Sequence, residues 1–93
     1  MATELAAARD ELARGRYGPA LGHAWDAAAR AVTGHDLDGL EEVRALASEV
    51  EARSHGRDRD DAQRLVVYCR ACRDDLAAGV PPDSYLWRLL GKR

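Results

Sequence analysis

Residues 15–34 read GRYGPALGHAWDAAARAVTG, and the choice between helix and strand for the whole chain turns on them. Gly15-Arg16-Tyr17-Gly18 has the composition of a turn. Pro19 then stands where the first position of a helix would fall, a place that suits its fixed φ and missing N–H. Beyond it Ala20, Leu21, Ala24, Ala28 and Val32 recur at helical spacing, with no period-two alternation. Gly34 supplies the stop.

The same period extends in both directions. Upstream, a first helix from about Thr3 to Arg14 puts Leu5, Ala8 and Leu12 on one face, with Thr3 as its N-cap. Downstream, a third helix starts near Asp38, where Asp38-x-x-Glu41 has the form of a capping box. Its buried stripe is Leu40, Val43, Ala47 and Val50, with Leu46 beside them. Ser54-His55-Gly56-Arg57 reads as a loop. A fourth helix, about Asp60 to Ala78, buries Ala62, Leu65, Val66, Cys69, Cys72 and Leu76. Gly79 closes it, and Val80-Pro81-Pro82 blocks continuation. A short last helix, Ser84 to Leu90, carries Tyr85, Leu86, Trp87, Leu89 and Leu90.

The expected architecture is therefore all-α. Residues 1–93 form a single domain of two antiparallel helical hairpins, 3–36 and 37–79, with residues 80–93 as a capping tail. Short connections favour antiparallel neighbours. Composition agrees: the chain of 93 residues is 46% hydrophobic, and 18 of its residues are Ala while none is Phe or Ile. Alanine is the best helix former and lets helix backbones approach closely. Thirteen of the 14 basic residues are Arg, a bias that points to a high-GC bacterial genome and removes Arg richness as a functional clue.

Within the first hairpin, Gly15-x-Tyr17-x-x-Ala20 followed by Ala27 resembles the second half of a tetratricopeptide (TPR) repeat. A glycine ends the first helix, an aromatic plugs the turn, and small alanines let the paired helices cross. The span 3–36 is 34 residues, the TPR period. The likeness is partial. Ala24 stands where the family has an aromatic, with Trp25 one residue late. Ala7 and Ala8 replace its Leu-Gly pair, and Val32 replaces its closing proline. The second hairpin fits only with a longer loop at Ser54 to Arg59.

The resemblance implies a protein-binding module, its first and third helices lining a groove for a peptide or partner helix. Arg9, Glu41, Arg44 and Glu51 are then the groove candidates. Tail clamps of the family that use Asn and Lys are a poor match, because this chain has no Asn and one Lys, Lys92. A carboxylate would have to be met by Arg, whose planar fork suits it.

Other chemistry finds little footing. The formal charge of −2 comes from interspersed acids and bases, without the basic stripe of a nucleic-acid binder. No run reaches the roughly 18 apolar residues of a membrane span. The first residues lack the apolar core of a secretory signal, and two cysteines without one fit a reducing, cytoplasmic setting.

Tyr68-Cys69-Arg70-Ala71-Cys72 is a C-x-x-C, but it falls more than two turns into the fourth helix, away from the N-terminus that would activate a thiol. At i and i+3 the Cβ atoms stand about 5–6 Å apart, beyond disulfide range. His23 lies beside the buried arc of the second helix, and His35 and His55 fall in loops, so no second pair completes a zinc site. No catalytic motif, cofactor site or metal site is expected. The reading is a small non-catalytic interaction module. One alternative is a homo-oligomer joined through its apolar tail, where Tyr85 and Trp87 would make the contact. The other is a thiol or zinc protein built on Cys69 and Cys72.

Overall fold

The computed structural model describes residues 3–79. Four α-helices follow one another, α1 (Glu4–Ala13), α2 (Tyr17–Thr33), α3 (Leu37–Arg53) and α4 (Arg57–Ala77), and no strand occurs among the described residues. The all-α expectation holds. The expected helix Ser84–Leu90 lies outside the described residues, and Tyr85 and Trp87 with it.

Each pair of helices is joined by three residues, 14–16, 34–36 and 54–56, and the chemistry of these joints moves several boundaries. Thr3 caps α1 as expected, its Oγ1 accepting the Ala6 N–H at 3.0 Å. At the other end Gly15 takes a φ of +74°, the left-handed region that costs glycine nothing. The Gly15 N–H reaches the Leu12 carbonyl and the Arg16 N–H reaches that of Glu11. These two bonds form the Schellman pattern that satisfies orphan carbonyls at a helix end. Pro19 is the third residue of α2 rather than the first. It is tolerated there because the first four N–H groups of a helix have no intrahelical partner.

The exit from α2 repeats the pattern with one change. Gly34 has an ordinary φ of −90°, and His35 occupies the left-handed position at φ 55°. Its N–H bonds the Val32 carbonyl, and the Asp36 N–H bonds that of Ala31 at 2.8 Å. Asp36 then serves a second purpose as N-cap of α3, its Oδ1 accepting from the Gly39 N–H at 2.9 Å. The capping box expected at Asp38-x-x-Glu41 is thus displaced by two residues. Asp38 lies in the first turn instead, where an acid complements the helix dipole.

The last joint is shorter than the sequence suggested. Ser54 is buried and closes α3, its hydroxyl donating to the Val50 carbonyl at 2.6 Å. Gly56, at φ 66°, reverses the chain so that α4 begins at Arg57 instead of Asp60. The longer loop to Arg59 that the second TPR-like hairpin would need is absent.

The core gathers residues from all four helices. Ala8, Leu12, Ala20, Leu21, Ala24, Ala28 and Val32 are buried, as are Leu40, Val43, Leu46, Ala47 and Val50. Every apolar position expected inward on α4 is buried too. Six alanines of this core have no exposed surface at all, which is how helices carrying few large side chains still exclude water. Tyr17 and Leu5 pack against the edge of the core.

Helix α4 lies mainly on α3 and also reaches α2, whereas α1 meets α3 along a narrow seam. This double contact widens the buried arc of α4 to include Tyr68. The Tyr68 ring stands 5.2 Å from that of Trp25, tilted by 53°, within the favoured range for an aromatic pair. The Trp25 Nε1–H donates to Asp61 Oδ1 at 3.3 Å, so the indole is buried without an orphaned polar atom.

Candidate interaction surface

Two grooves run along the face where α1 and α3 meet. One, of about 380 Å³, lies between Arg9, Leu12 and Ala13 of α1 and Glu42, Ala45, Leu46, Glu49 and Arg53 of α3. The five α3 residues follow i, i+3, i+4, i+7 and i+11, one helical flank read along its length. The apolar floor is Leu12 and Leu46, both already buried. Above it Arg9 Nη2 stands 3.7 Å from Glu42 Oε2, and Arg53 Nη2 stands 2.8 Å from Glu49 Oε1. Both pairs are exposed and contribute little stability, so a partner can exchange them for its own charges at small cost.

The second groove, of about 480 Å³, continues past Glu42 toward the helix starts. Leu5, Ala27, Ala31 and Val43 lie beneath it, and Glu4, Asp36, Asp38 and Glu42 outnumber Arg30 around it. Two of these acids already have work in the fold. Asp36 caps α3, and Glu4 Oε2 lies 2.9 Å from His23 Nδ1, which ties the first turn of α1 to α2. His23, expected at the edge of the buried arc, is half-buried there and paired.

Of the four groove candidates, Arg9 alone lines the α1/α3 face. Glu41 and Arg44 stand on the opposite flank of α3, toward α4. The Arg44 Nε–H donates to both Glu41 oxygens at 3.0 Å, and Nη2 donates to Oε1 at 2.6 Å. Arg44 Nη1 also donates to Ser48 Oγ at 3.3 Å, and Arg73 of α4 stands 3.7 Å from Glu41. Hydrogen bonding from Arg44, helped by the charges of Arg44, Arg73 and Arg70, holds the Glu41 carboxyl below its ordinary range. Glu51 stands on the same flank, seven positions after Arg44. The Arg73–Glu41 pair joins α3 to α4 on this flank, and the groove is lined instead by Glu42, Ala45, Glu49 and Arg53, which the groove expectation did not include.

Both thiols of the C-x-x-C are buried. Cys69 and Cys72 are free thiols with 1% of their surface exposed. Burial pushes Cys69 up to about 12, and the neighbouring Cys72 adds to the rise. Burial pushes Cys72 up to about 11, against the opposing pull of a hydrogen bond with Tyr68. Cys72, like Cys69, is buried as the helical spacing expected. Among the described residues no group of three or more His, Cys, Asp or Glu side chains could hold a metal ion. His35 and His55 are exposed in the joints.

No helix of the described residues is long and apolar enough to cross a membrane. A scan against protein-family models found no match, and neither did searches of curated proteins and of solved structures.

Proposed function

We propose that this chain is a small, non-catalytic protein-interaction module whose α1/α3 face receives a peptide or a partner helix. The observation that carries the reading is the pair of adjoining grooves on that face, floored by apolar side chains and edged by exposed, exchangeable ion pairs. An apolar floor with a polar edge is the arrangement of helix-in-groove recognition. On this reading the four helices act as two antiparallel TPR-like hairpins, 3–36 and 37–79, with residues 80–93 as the cap. The sequestration of Cys69 and Cys72 favours it over a thiol or zinc protein.

The test is affinity capture with the full chain as bait from cells that produce it. Ala45 is exposed and lies between the two ion pairs, so Ala45→Arg fills the groove without touching the core. Ala52→Arg, also exposed on α3 but off the groove, is the control. A genuine partner should drop by about tenfold or more with Ala45→Arg, a loss typical of blocking a central interface position. It should persist with Ala52→Arg. Equal recovery by wild type and both variants would end the proposal for this face.

A further inference from the structure

The two grooves of the α1/α3 face differ in the charge of their edges. Around the first, Arg9 and Arg53 balance Glu42 and Glu49 in two ion pairs. Around the second, Glu4, Asp36, Asp38 and Glu42 face Arg30 alone. Two of these carboxylates are tied into the fold, Asp36 by the Gly39 N–H and Glu4 by His23. Asp38 and Glu42 are exposed. Among the described residues no ion pair holds Asp38, and Glu42 meets the exposed Arg9 at 3.7 Å.

Asp38 and Glu42 stand one turn apart on α3, about 6 Å along its axis, and like charges at that spacing repel. A partner's cations relieve that repulsion, and the spread of the carboxylates along the groove decides what carries them. Among the described residues no three of them close around a point that could hold a metal ion. They suit an extended ligand with charges at matching intervals. The apolar floor of Leu5, Ala27, Ala31 and Val43 requires an apolar side on the same ligand. A helix with Lys or Arg at i and i+4 beside an apolar stripe meets both requirements, because its bases repeat at the same rise of about 6 Å. A nucleic acid or an acidic peptide is repelled there. The cavity makes the docking site, and the carboxylates select what enters it.

We propose that the α1/α3 face takes a basic amphipathic helix of a partner protein. Its apolar stripe lies on the floor of the second groove, and two Lys or Arg residues four apart stand against Asp38 and Glu42. This rests on the reading of that face as a recognition surface and names the chemistry of its partner.

A random peptide library displayed on phage tests it, selected on the full chain and on Ala52→Arg and counter-selected on Ala45→Arg. The two variants carry the same added charge, and Ala45 stands about 4.5 Å beyond Glu42 along α3, so surviving peptides are those that need the open groove. They should be apolar and net positive, with Lys or Arg four residues apart. Made synthetically, they should bind an Asp38→Asn, Glu42→Gln variant about fivefold or more weakly than wild type by fluorescence anisotropy at low salt. The difference should shrink at high salt. An Asp60→Asn, Asp74→Asn variant, changed at exposed α4 positions off the groove, should bind as wild type does. Should Asp38→Asn fray α3 by circular dichroism, Glu42→Gln alone gives the same reading. Groove-dependent peptides that are neutral or acidic, or that bind the neutralised variant as tightly as wild type, would overturn the proposal and leave the face a recognition surface. A library that yields no groove-dependent peptide would overturn the reading of the face itself, and the proposal with it.

Discussion

Asp36 and Gly39 offer a sign reversal that follows from their geometry alone. Asp36 caps α3 through the Gly39 N–H, and a Cβ added at Gly39 would fall 2.8 Å from Asp36 Cγ and closer still to Oδ2. The carboxylate must therefore leave its capping position to admit any side chain there. Losing an aspartate cap costs about 1 kcal/mol, within a range of roughly 0.5–2. Replacing a helical glycine by alanine returns about 0.5–1 kcal/mol. In the wild-type background the two effects nearly cancel, and Gly39→Ala should be neutral or mildly destabilising. In an Asp36→Ala background there is no cap left to displace, so the same substitution should stabilise by about 0.5–1 kcal/mol. The coupling energy of this double-mutant cycle is about 1 kcal/mol, read by urea denaturation followed by far-UV circular dichroism. In thermal melts that is a difference of roughly 4–8 °C for a domain this small. If Gly39→Ala shifts both backgrounds equally, within about 0.3 kcal/mol, the shared geometry of cap and glycine is refuted.

Three further outcomes come from the same structure. His35→Gly should stabilise by about 0.5 kcal/mol, since left-handed strain of roughly 1–2 kcal/mol outweighs the entropy of a new glycine, whereas His35→Val should destabilise; equal melting temperatures would contradict a left-handed His35. Cys69 and Cys72 should resist a thiol reagent until the chain unfolds, so the labelling rate in native buffer should rise with urea in step with the unfolded population; instant labelling of either thiol would contradict their burial. Raised thiol values also set a sign: the folded state holds its thiol protons more tightly than the unfolded chain, so the stabilisation is complete below the ordinary value of 9.0 and is lost as pH climbs toward about 11 and 12. The loss approaches about 1.4 kcal/mol per pH unit for each ionising thiol, and a Cys69→Ala, Cys72→Ala variant should lack it; matching alkaline profiles would refute the assignment.

The helices themselves were legible because burial periodicity is written along one element at a time. Leu40, Val43, Ala47 and Val50 could be assigned inward from their spacing, and all are buried. The joints were less legible because two neighbouring residues competed for one task. Gly34 or His35 could have taken the left-handed position, and Asp36 or Asp38 could have capped α3. In both cases the carbonyls left by α2 decide, since the Schellman bonds fix where the chain turns and so which acid stands one residue before α3. At Gly56 the sequence showed a loop, but not that a positive φ would let α4 begin at the next residue.

Which flank of α3 borders the groove was illegible for a different reason. A buried stripe on a helix has two flanks, and nothing in the period of α3 says which flank meets α1 and which meets α4. Glu41, Arg44 and Glu51 share one flank, and Glu42, Ala45, Glu49 and Arg53 share the other. Arg9 lies toward α3 because, among the described helices, α1 meets α2 and α3, so one side of it faces α3 without a competing helix. The choice between flanks lies in the packing between elements, where charge pairs such as Arg73 with Glu41 and Arg9 with Glu42 report the neighbour that the periodicity leaves unspecified. Exchanging the acid between flanks, with Glu42→Ala on one side and Glu41→Ala on the other, therefore separates their roles. Losing Glu41 should weaken the α3–α4 contact and lower the melting temperature, since it unpairs the half-buried Arg44 fork as well as the Arg73 contact. Losing Glu42 should leave stability nearly unchanged, because its exposed pair with Arg9 contributes little. Equal melting temperatures for the two variants would refute the division of α3 into a packing flank and an exposed flank.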